Sequence, residues 1–404
     1  GNTPGSPGGP FEGINGMKAM TGTETRRIIG DALREIVESA KSGGPRTRVG
    51  LMASGSELGP GELARGAVAA QEARPGLEVV MIGPRIEGFD QLRWIETPDC
   101  EEDISRAMES ALKEGDISAA VALHYPFPLG VTTIGRVVTP ARGRPMFIAS
   151  TTGTSATERI EAMVKNAVYG IATAKSLGIT EPTVGLLNIE GAQAAFRALQ
   201  KIRDNGFPIT FGSSVRKDGG AILRGNDILA GAVDVCVTDT LTGNVLIKMF
   251  SAFTTGGGYE ATGWGYGPSV GRGWPFIVSI ISRASGAPVI AGALVFSAAA
   301  ATGSLPEKVI EYLALAEKAG LSGILSELRP TKSDGSGEVK MPPKEPTEDE
   351  IHGIDVLSIE EAVKTLWKRE IYAESAMGCT GPVVKVPARV LEEAEEILRS
   401  EGFL

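Results

Sequence analysis

The run Val233-Asp234-Val235-Cys236-Val237-Thr238-Asp239-Thr240-Leu241-Thr242-Gly243-Asn244 passes from an apolar, β-branched segment into small polar residues, and Val245 to about Phe253 then follows with a helical pattern. Valines at 233, 235 and 237 suit a buried strand. Asp239 to Asn244 end it, and the helix begins at once. The same order recurs upstream. Thr183 to Asn188 is a strand before a helix over Ala192 to Arg203, and Phe147-Ile148-Ala149 leads through Ser150-Thr151-Thr152-Gly153-Thr154-Ser155 into a helix over Thr157 to Leu177. Further back, Ala119 to Leu123 and Leu77 to Ile82 are strands on either side of a helix over Glu101 to Glu114. Arg48 to Ala53 is a strand that runs through Ser54-Gly55-Ser56-Glu57-Leu58-Gly59 into a helix over Gly61 to Glu72. Strands alternating with helices predict an α/β fold of three layers, a mostly parallel sheet with helices on both faces. In such sheets ligands bind beyond the strand C-termini, so the three Ser/Thr/Gly loops at Ser54, Thr152 and Asp239 are expected to converge there. Backbone N–H groups at the helix starts suit an anion, although no Lys follows the glycines as in a Walker loop.

Downstream, Gly256 to Gly273 is glycine-rich and carries Tyr259, Trp264 and Tyr266, which reads as a surface loop or a lid. Phe276 to Ile281 and Val289 to Phe296 read as apolar strands and Glu307 to Ala319 as a helix. The chain divides into a Gly/Pro-rich N-terminus with a leading helix (1–47, the helix over Thr21 to Lys41), an α/β domain (48–330), a charged, proline-bearing linker (331–350) and a C-terminal segment (351–404).

A net charge of −9 sets nucleic acid and anionic membrane surfaces aside as partners. No uncharged apolar run is long enough to span a bilayer, and no N-terminal signal is visible, so a cytoplasmic location is expected. The 3 cysteines, Cys100, Cys236 and Cys379, form no disulfide framework or metal spacing, and the 2 histidines, His124 and His352, argue against structural zinc. Cys236 sits inside an apolar strand and reads as packing. Cys100 opens a helix but adjoins Glu101, Glu102 and Asp103. Cys379, in Ser375-Ala376-Met377-Gly378-Cys379-Thr380-Gly381-Pro382, lies between glycines on a tight turn with no adjacent carboxylate. It is either a small apolar residue in a turn or a reactive thiol, and it is the best nucleophile candidate of the three. His124 closes a strand as a base, a phosphate donor or a structural histidine; Arg216, Lys217, Lys248, Arg272 and Arg283 are candidate cations at the ligand edge.

Glu158 to Ala192, with Gly185-Leu186-Leu187-Asn188-Ile189-Glu190-Gly191, resembles the phosphate acyltransferases that make acyl phosphate from acyl carrier protein. Asp234 to Lys248 resembles the Asp-x-x-Thr-Gly-Asn-Val stretch of the same enzymes, and Leu51 to Gly59 their first glycine loop, departing from it at Glu57-Leu58. Those enzymes lack the appended C-terminal segment. With the Met-Gly-Cys-Thr-Gly-Pro motif included, the chain after residue 20 is similar to the alpha (small) subunit of component C of the glycine reductase complex, whose fold is related to phosphate acetyltransferase and the isocitrate dehydrogenase group. The resemblance implies that Cys379 carries an acetyl thioester, which phosphate cleaves to acetyl phosphate. It further implies phosphate contacts from Ser54, Gly55, Ser56, Thr152, Gly153, Thr154, Asp239, Thr242, Gly243 and Asn244, with amides at Gly378, Thr380 and Gly381 about the thioester. The implied partners are a beta subunit of component C and the selenoprotein component, in a homo- or hetero-oligomer. The steps require no metal or redox cofactor. Two other functions fit the same residues, a phosphate acyltransferase of acyl-carrier thioesters and a non-catalytic scaffold of the reductase complex.

Overall fold

The computed structural model describes residues 46–404 apart from 218, 329–338, 355–357 and 379–380. The helix expected over Thr21 to Lys41, the first part of the linker and Cys379 with Thr380 fall outside them. The chain begins β1 (Thr47–Met52), α1 (Pro60–Ala73), β2 (Leu77–Gly83), β3 (Arg93–Glu96), α2 (Glu101–Glu114), β4 (Ala119–Ala122), β5 (Val131–Val138) and β6 (Pro145–Gly153). It continues through α3 (Arg159–Ser176), β7 (Thr183–Leu187), α4 (Ala192–Asp204), β8 (Thr210–Phe211), β9 (Ile222–Leu223), α5 (Gly225–Ala230), β10 (Val235–Val237), α6 (Thr240–Ala252), β11 (Gly267–Gly271) and β12 (Val278–Ile280). α7 (Ala287–Thr302), α8 (Leu305–Lys318) and α9 (Leu321–Leu328) precede β13 (Asp349–Ile351), α10 (Ile359–Trp367), β14 (Glu374–Gly378), β15 (Gly381–Val386) and α11 (Leu391–Ser400).

One large sheet has the order β3-β2-β1-β4-β12-β11-β5-β6-β10-β7-β8, with β9 beside β7. Its strands alternate between two cores, as a period of two requires. Val49, Leu51, Val79, Met81, Phe147, Ala149, Val235 and Val237 face one core; Met52, Val80, Ile82, Met146, Ile148 and Cys236 face the other. Helices α1, α3, α7 and α8 cover the first face, and α2, α5 and α6 the second. The three-layer α/β fold with a mostly parallel sheet is therefore the fold of this chain.

The strand directions divide the sheet. β3, β2, β1, β4 and β12 are parallel, and so are β6, β10, β7 and β8. Three antiparallel steps, β12 to β11, β11 to β5 and β5 to β6, join these halves, so they point in opposite directions. The C-terminal ends of the two halves consequently lie on opposite edges.

Two expectations about elements are corrected. Val289 to Phe296 is not a strand but the middle of α7, which is apolar all round because α1 and the sheet surround it. Gly66 of α1 comes so close that a Cβ there would stand 2.5 Å from Ile290. A short apolar run without periodicity does not distinguish a buried helix from a strand. The Gly256 to Gly273 stretch is exposed only at its two ends; Tyr266 is buried and the middle of the stretch becomes β11. Gly267, at φ +84°, passes β5 so closely that a Cβ would meet the Ile134 carbonyl at 1.8 Å. Its glycines serve a close strand crossing.

The C-terminal segment builds its own core from Ile351, Ala362, Leu366, Val384, Val386 and Leu398, with sheet order β13-β15-β14. The rungs between β14 and β15 run from Glu374↔Lys385 to Gly378↔Gly381. No single helix among the described residues is long and apolar enough to cross a membrane.

Candidate functional site

At the C-terminal edge of the second half, the end of β6 and the start of α6 hold each other. The Asp239 carboxylate caps α6, accepting from the Thr242 amide at 2.9 Å and the Thr242 hydroxyl at 2.8 Å. Thr240 donates to the Gly153 carbonyl at 3.0 Å, and Asn244 Nδ2 to the Thr151 carbonyl at 3.0 Å. Gly243 lies against β6, where a Cβ would stand 1.7 Å from the Ser150 carbonyl oxygen. Behind them is a buried hydroxyl network in which Thr133 Oγ1 lies 2.7 Å from both Thr151 Oγ1 and Thr152 Oγ1 and accepts from the Thr152 amide. Thr152 and Thr242 thus already use their hydroxyls within the protein, and α6 already has a carboxylate at its N-terminus.

Beside this clamp is a cavity of about 440 Å³, lined by Gly130, Ser155, Lys165, Tyr169, Arg272 and Trp274 among others. The Thr154 amide donates to the Val131 carbonyl at 3.0 Å and the Gly130 amide to the Thr154 carbonyl at 2.8 Å, which seats the loop on the cavity wall. Ser155 donates to Asn166 Oδ1 at 2.7 Å, and Asn166 Nδ2 donates to the Thr238 carbonyl at 3.1 Å. That chain ties the cavity to the residue preceding Asp239. Two cations face the cavity. Lys165 is held 2.7 Å from Glu161 and Arg272 is paired with Glu317. Burial pushes the Tyr169 phenol up to about 12, against the opposing Arg272 backbone and charge, so the phenol stays protonated and neutral. An anion entering here would meet two positive side chains and a wall of hydroxyl and amide groups.

The Ser54 loop is not part of this assembly. It lies at the C-terminal edge of the first half, where Ser54 donates to Asp99 at 2.7 Å, Ser56 accepts from the Leu58 amide at 3.2 Å and the Glu57 amide donates to the Arg283 carbonyl at 2.8 Å. The expected convergence of three loops is corrected to two, because the antiparallel centre of the sheet reverses the second half. Of the candidate cations only Arg272 lines the cavity. Lys248 sits 3.3 Å from the buried Glu260, and Arg216, Lys217 and Arg283 are exposed elsewhere. Lys165 was missed, since a lysine in the middle of an amphipathic helix has no sequence signal separating it from a solvated one. Cys236 is fully buried, and burial pushes its thiol up to about 12, which makes it inert at neutral pH. Cys100 and His124 are exposed. Gly378 and Gly381 form the last rung of the β14–β15 hairpin. Among the described residues no three His, Cys, Asp or Glu side chains come together as a metal site.

Comparison with known proteins gives this geometry its setting. A family profile described as fatty acid synthesis protein matches residues 47–385. The alpha subunit of glycine/sarcosine/betaine reductase complex component C from Peptoclostridium acidaminophilum is 47% identical over 386 residues, covering 95% of this chain and 100% of that protein. A phosphate acyltransferase from Nostoc punctiforme is 30% identical over 254 residues, covering 52% of this chain and 72% of that one. Among solved structures, a branched-chain phosphotransacylase from Enterococcus faecalis aligns with 15% identity and a TM-score of 0.46, covering 63% of this chain and 99% of that chain. The chain belongs to the fatty acid synthesis protein family, and a component C alpha subunit and phosphate acyltransferases are among the proteins it is similar to.

Proposed function

We propose that this chain is an acyltransferase that moves an acetyl group from a thioester on Cys379 to inorganic phosphate, as the alpha subunit of a component C of the glycine reductase type. The observation that carries the proposal is the full-length match to the component C alpha subunit, which extends through the Met-Gly-Cys-Thr-Gly-Pro segment while the phosphate acyltransferases cover about half of the chain. The cavity with Lys165 and Arg272 supports a phosphate site, because a bound dianion needs two local cations in a chain of net charge −9. A phosphate oxygen attacks the acetyl carbonyl carbon, the new C–O bond forms, the Cys379 thiolate leaves with the C–S electrons, and acetyl phosphate is released. Covalent storage on sulfur divides one difficult transfer into two easier ones, and amides at Gly378, Thr380 and Gly381 would stabilise the developing oxyanion. The C-terminal segment, with its own core, is the module that carries the thiol, a beta subunit supplies the acetyl group together with the selenoprotein component, and the setting is cytoplasmic.

Incubation of the protein with acetyl phosphate and arsenate tests this reading. Wild type should consume acetyl phosphate and Cys379→Ala should not; retained activity in that variant overturns the nucleophile. Turnover of an acyl-carrier thioester by Cys379→Ala would instead favour the reaction of the phosphate acyltransferases.

A further inference from the structure

Arg136 lies near the end of β5, on the same face of the strand as the buried Ile134. Its guanidinium is held by two rings, with the central carbon 4.4 Å from the centroid of Trp264 and 5.4 Å from that of Phe147. Stacking of this kind fixes the fork in place but supplies no hydrogen-bond acceptor. Nε is buried and donates to nothing, and neither Nη has an acceptor among the described residues. The cleft around the guanidinium, between β5, α6 and the turn before β11, is lined by Ile247, Phe250, Ser251 and Thr262 among others, and by no carboxylate. It has no room for an enclosed water, so none relieves Nε. Burial lowers the pKa of Arg136, and no neighbouring acid raises it. A cation this far out of water is ordinarily paired, and the chain has acids to spare, 49 against 40 basic residues.

We propose that Arg136 anchors a second anion site, which takes the carboxylate or phosphate group of a small ligand on its Nη edge. The reading is independent of the acyl-transfer proposal. Val131, toward the other end of β5, lines the cavity of Lys165 and Arg272, so the two sites stand about 17 Å apart along the strand. A guanidinium held flat against aromatic rings keeps its fork pre-organised, and a carboxylate or phosphate accepts from both Nη groups at once. The Nη end is the part of the side chain that reaches the surface, since only Nε is fully enclosed. The closed cleft beneath admits no ring or acyl chain, which limits the ligand to an anionic group seated at the mouth, with the Thr262 hydroxyl on the same cleft. Helix α6 runs from the Asp239–Thr242 cap at the cavity edge to Ile247, Phe250 and Ser251 at this cleft. An anion bound to Arg136 therefore adds to the seat of the helix that clamps the first site.

Thermal melting of the full chain tests this, in a Lys165→Met, Arg272→Ala background that removes the cations of the first site. Potassium phosphate and potassium acetate are each compared with potassium chloride at equal ionic strength. At about ten times its dissociation constant, the bound anion should raise the melting temperature by about 2–3 °C. Arg136→Met should lose that increment, while the general salting effect of phosphate is shared by both proteins and cancels in the comparison. Arg136→Lys keeps the charge but not the fork and should bind about 10-fold more weakly, which carries the test if Arg136→Met does not fold. As a second measurement, tryptophan emission should change over the same anion concentrations, and Trp264→Phe should remove the change. A response to phosphate alone makes the ligand group a phosphate, and a response to acetate alone makes it a carboxylate. No increment with either anion, an increment retained in Arg136→Met, or an affinity unchanged in Arg136→Lys overturns the proposal.

Discussion

The two edges of the sheet look alike in sequence and differ in structure. Ser54-Gly55-Ser56 follows β1 and Thr152-Gly153-Thr154 ends β6, each a small polar loop between a buried strand and a helix. On the first edge the loop is loosely built: Ser54 holds an exposed carboxylate, and a Cβ at Gly55 would meet only Leu123, at 3.8 Å. On the second edge the loop is locked on both sides, by the Thr132–Thr133 hydroxyls of β5 and by Thr240, Gly243 and Asn244 of α6, and it borders a cavity with two cations. Loop chemistry thus marks where a ligand is able to bind; the surrounding cations and the rigidity of the support distinguish one edge from the other.

Gly243→Ala should break the second edge most severely. A Cβ has no room before the Ser150 carbonyl, so stability to urea should fall by about 3 kcal/mol, while Gly55→Ala, at φ +91° in open surroundings, should cost about 1 kcal/mol. Equal losses would remove the contrast between the edges. Next in size, Lys165→Met or Arg272→Ala should lower kcat/KM for phosphate by about 10- to 100-fold, the worth of one charge-assisted hydrogen bond, and chiefly by raising KM. Ser54→Ala should leave KM within about twofold; the reverse pattern would move the phosphate site to the first edge.

Asp227 supplies a pH test at the second edge. Burial raises the pKa of its carboxyl, but the Arg224 and Val215 amides, the Ser214 hydroxyl and the Arg216 charge outweigh that and hold it below its usual value of 3.8. A depressed folded-state value means stability that is complete above the unfolded pKa and lost as pH falls through the folded one, so the loss belongs below about pH 4. Asp234 is held low in the same way: its burial is outweighed by the Thr183 backbone and hydroxyl and by Arg144. Thermal melts between about pH 5 and 2 should show a steep acid limb that is shallower in Asp227→Asn; an unchanged limb would mean the carboxylate contributes nothing. The smallest effect is expected from Asp239→Ala, about 1 kcal/mol for a lost helix cap, read from the shift in urea midpoint.

Much of the fold was legible because it rests on local pattern. The alternation of Val235 and Val237 against Cys236 reports two cores, and the recurrence of strand, loop and helix reports layers. The burial of Cys236 followed from its neighbours. α7 was illegible as a helix because a segment covered on every side has no polar face to reveal its period. The reversal of the second half was illegible for a different reason. It arises from β11, whose glycines allow it to pass between β5 and β12, and the direction of a strand in a sheet leaves no mark in its own residues. Lys165 and Arg272 are ordinary surface cations by sequence, and only the packing of α3 against the β11–β12 turn puts them on one cavity.

By itself the sequence determined the α/β class, the small polar loops and the family, since periodicity, loop chemistry and the motifs around Asn188, Asp239 and Cys379 are all properties of neighbouring residues. The tertiary structure decided which loops share an edge, which cations stand beside them and which guanidinium is left without an acceptor. Those are relations between residues far apart in sequence, fixed by strand direction and by packing that no local stretch encodes.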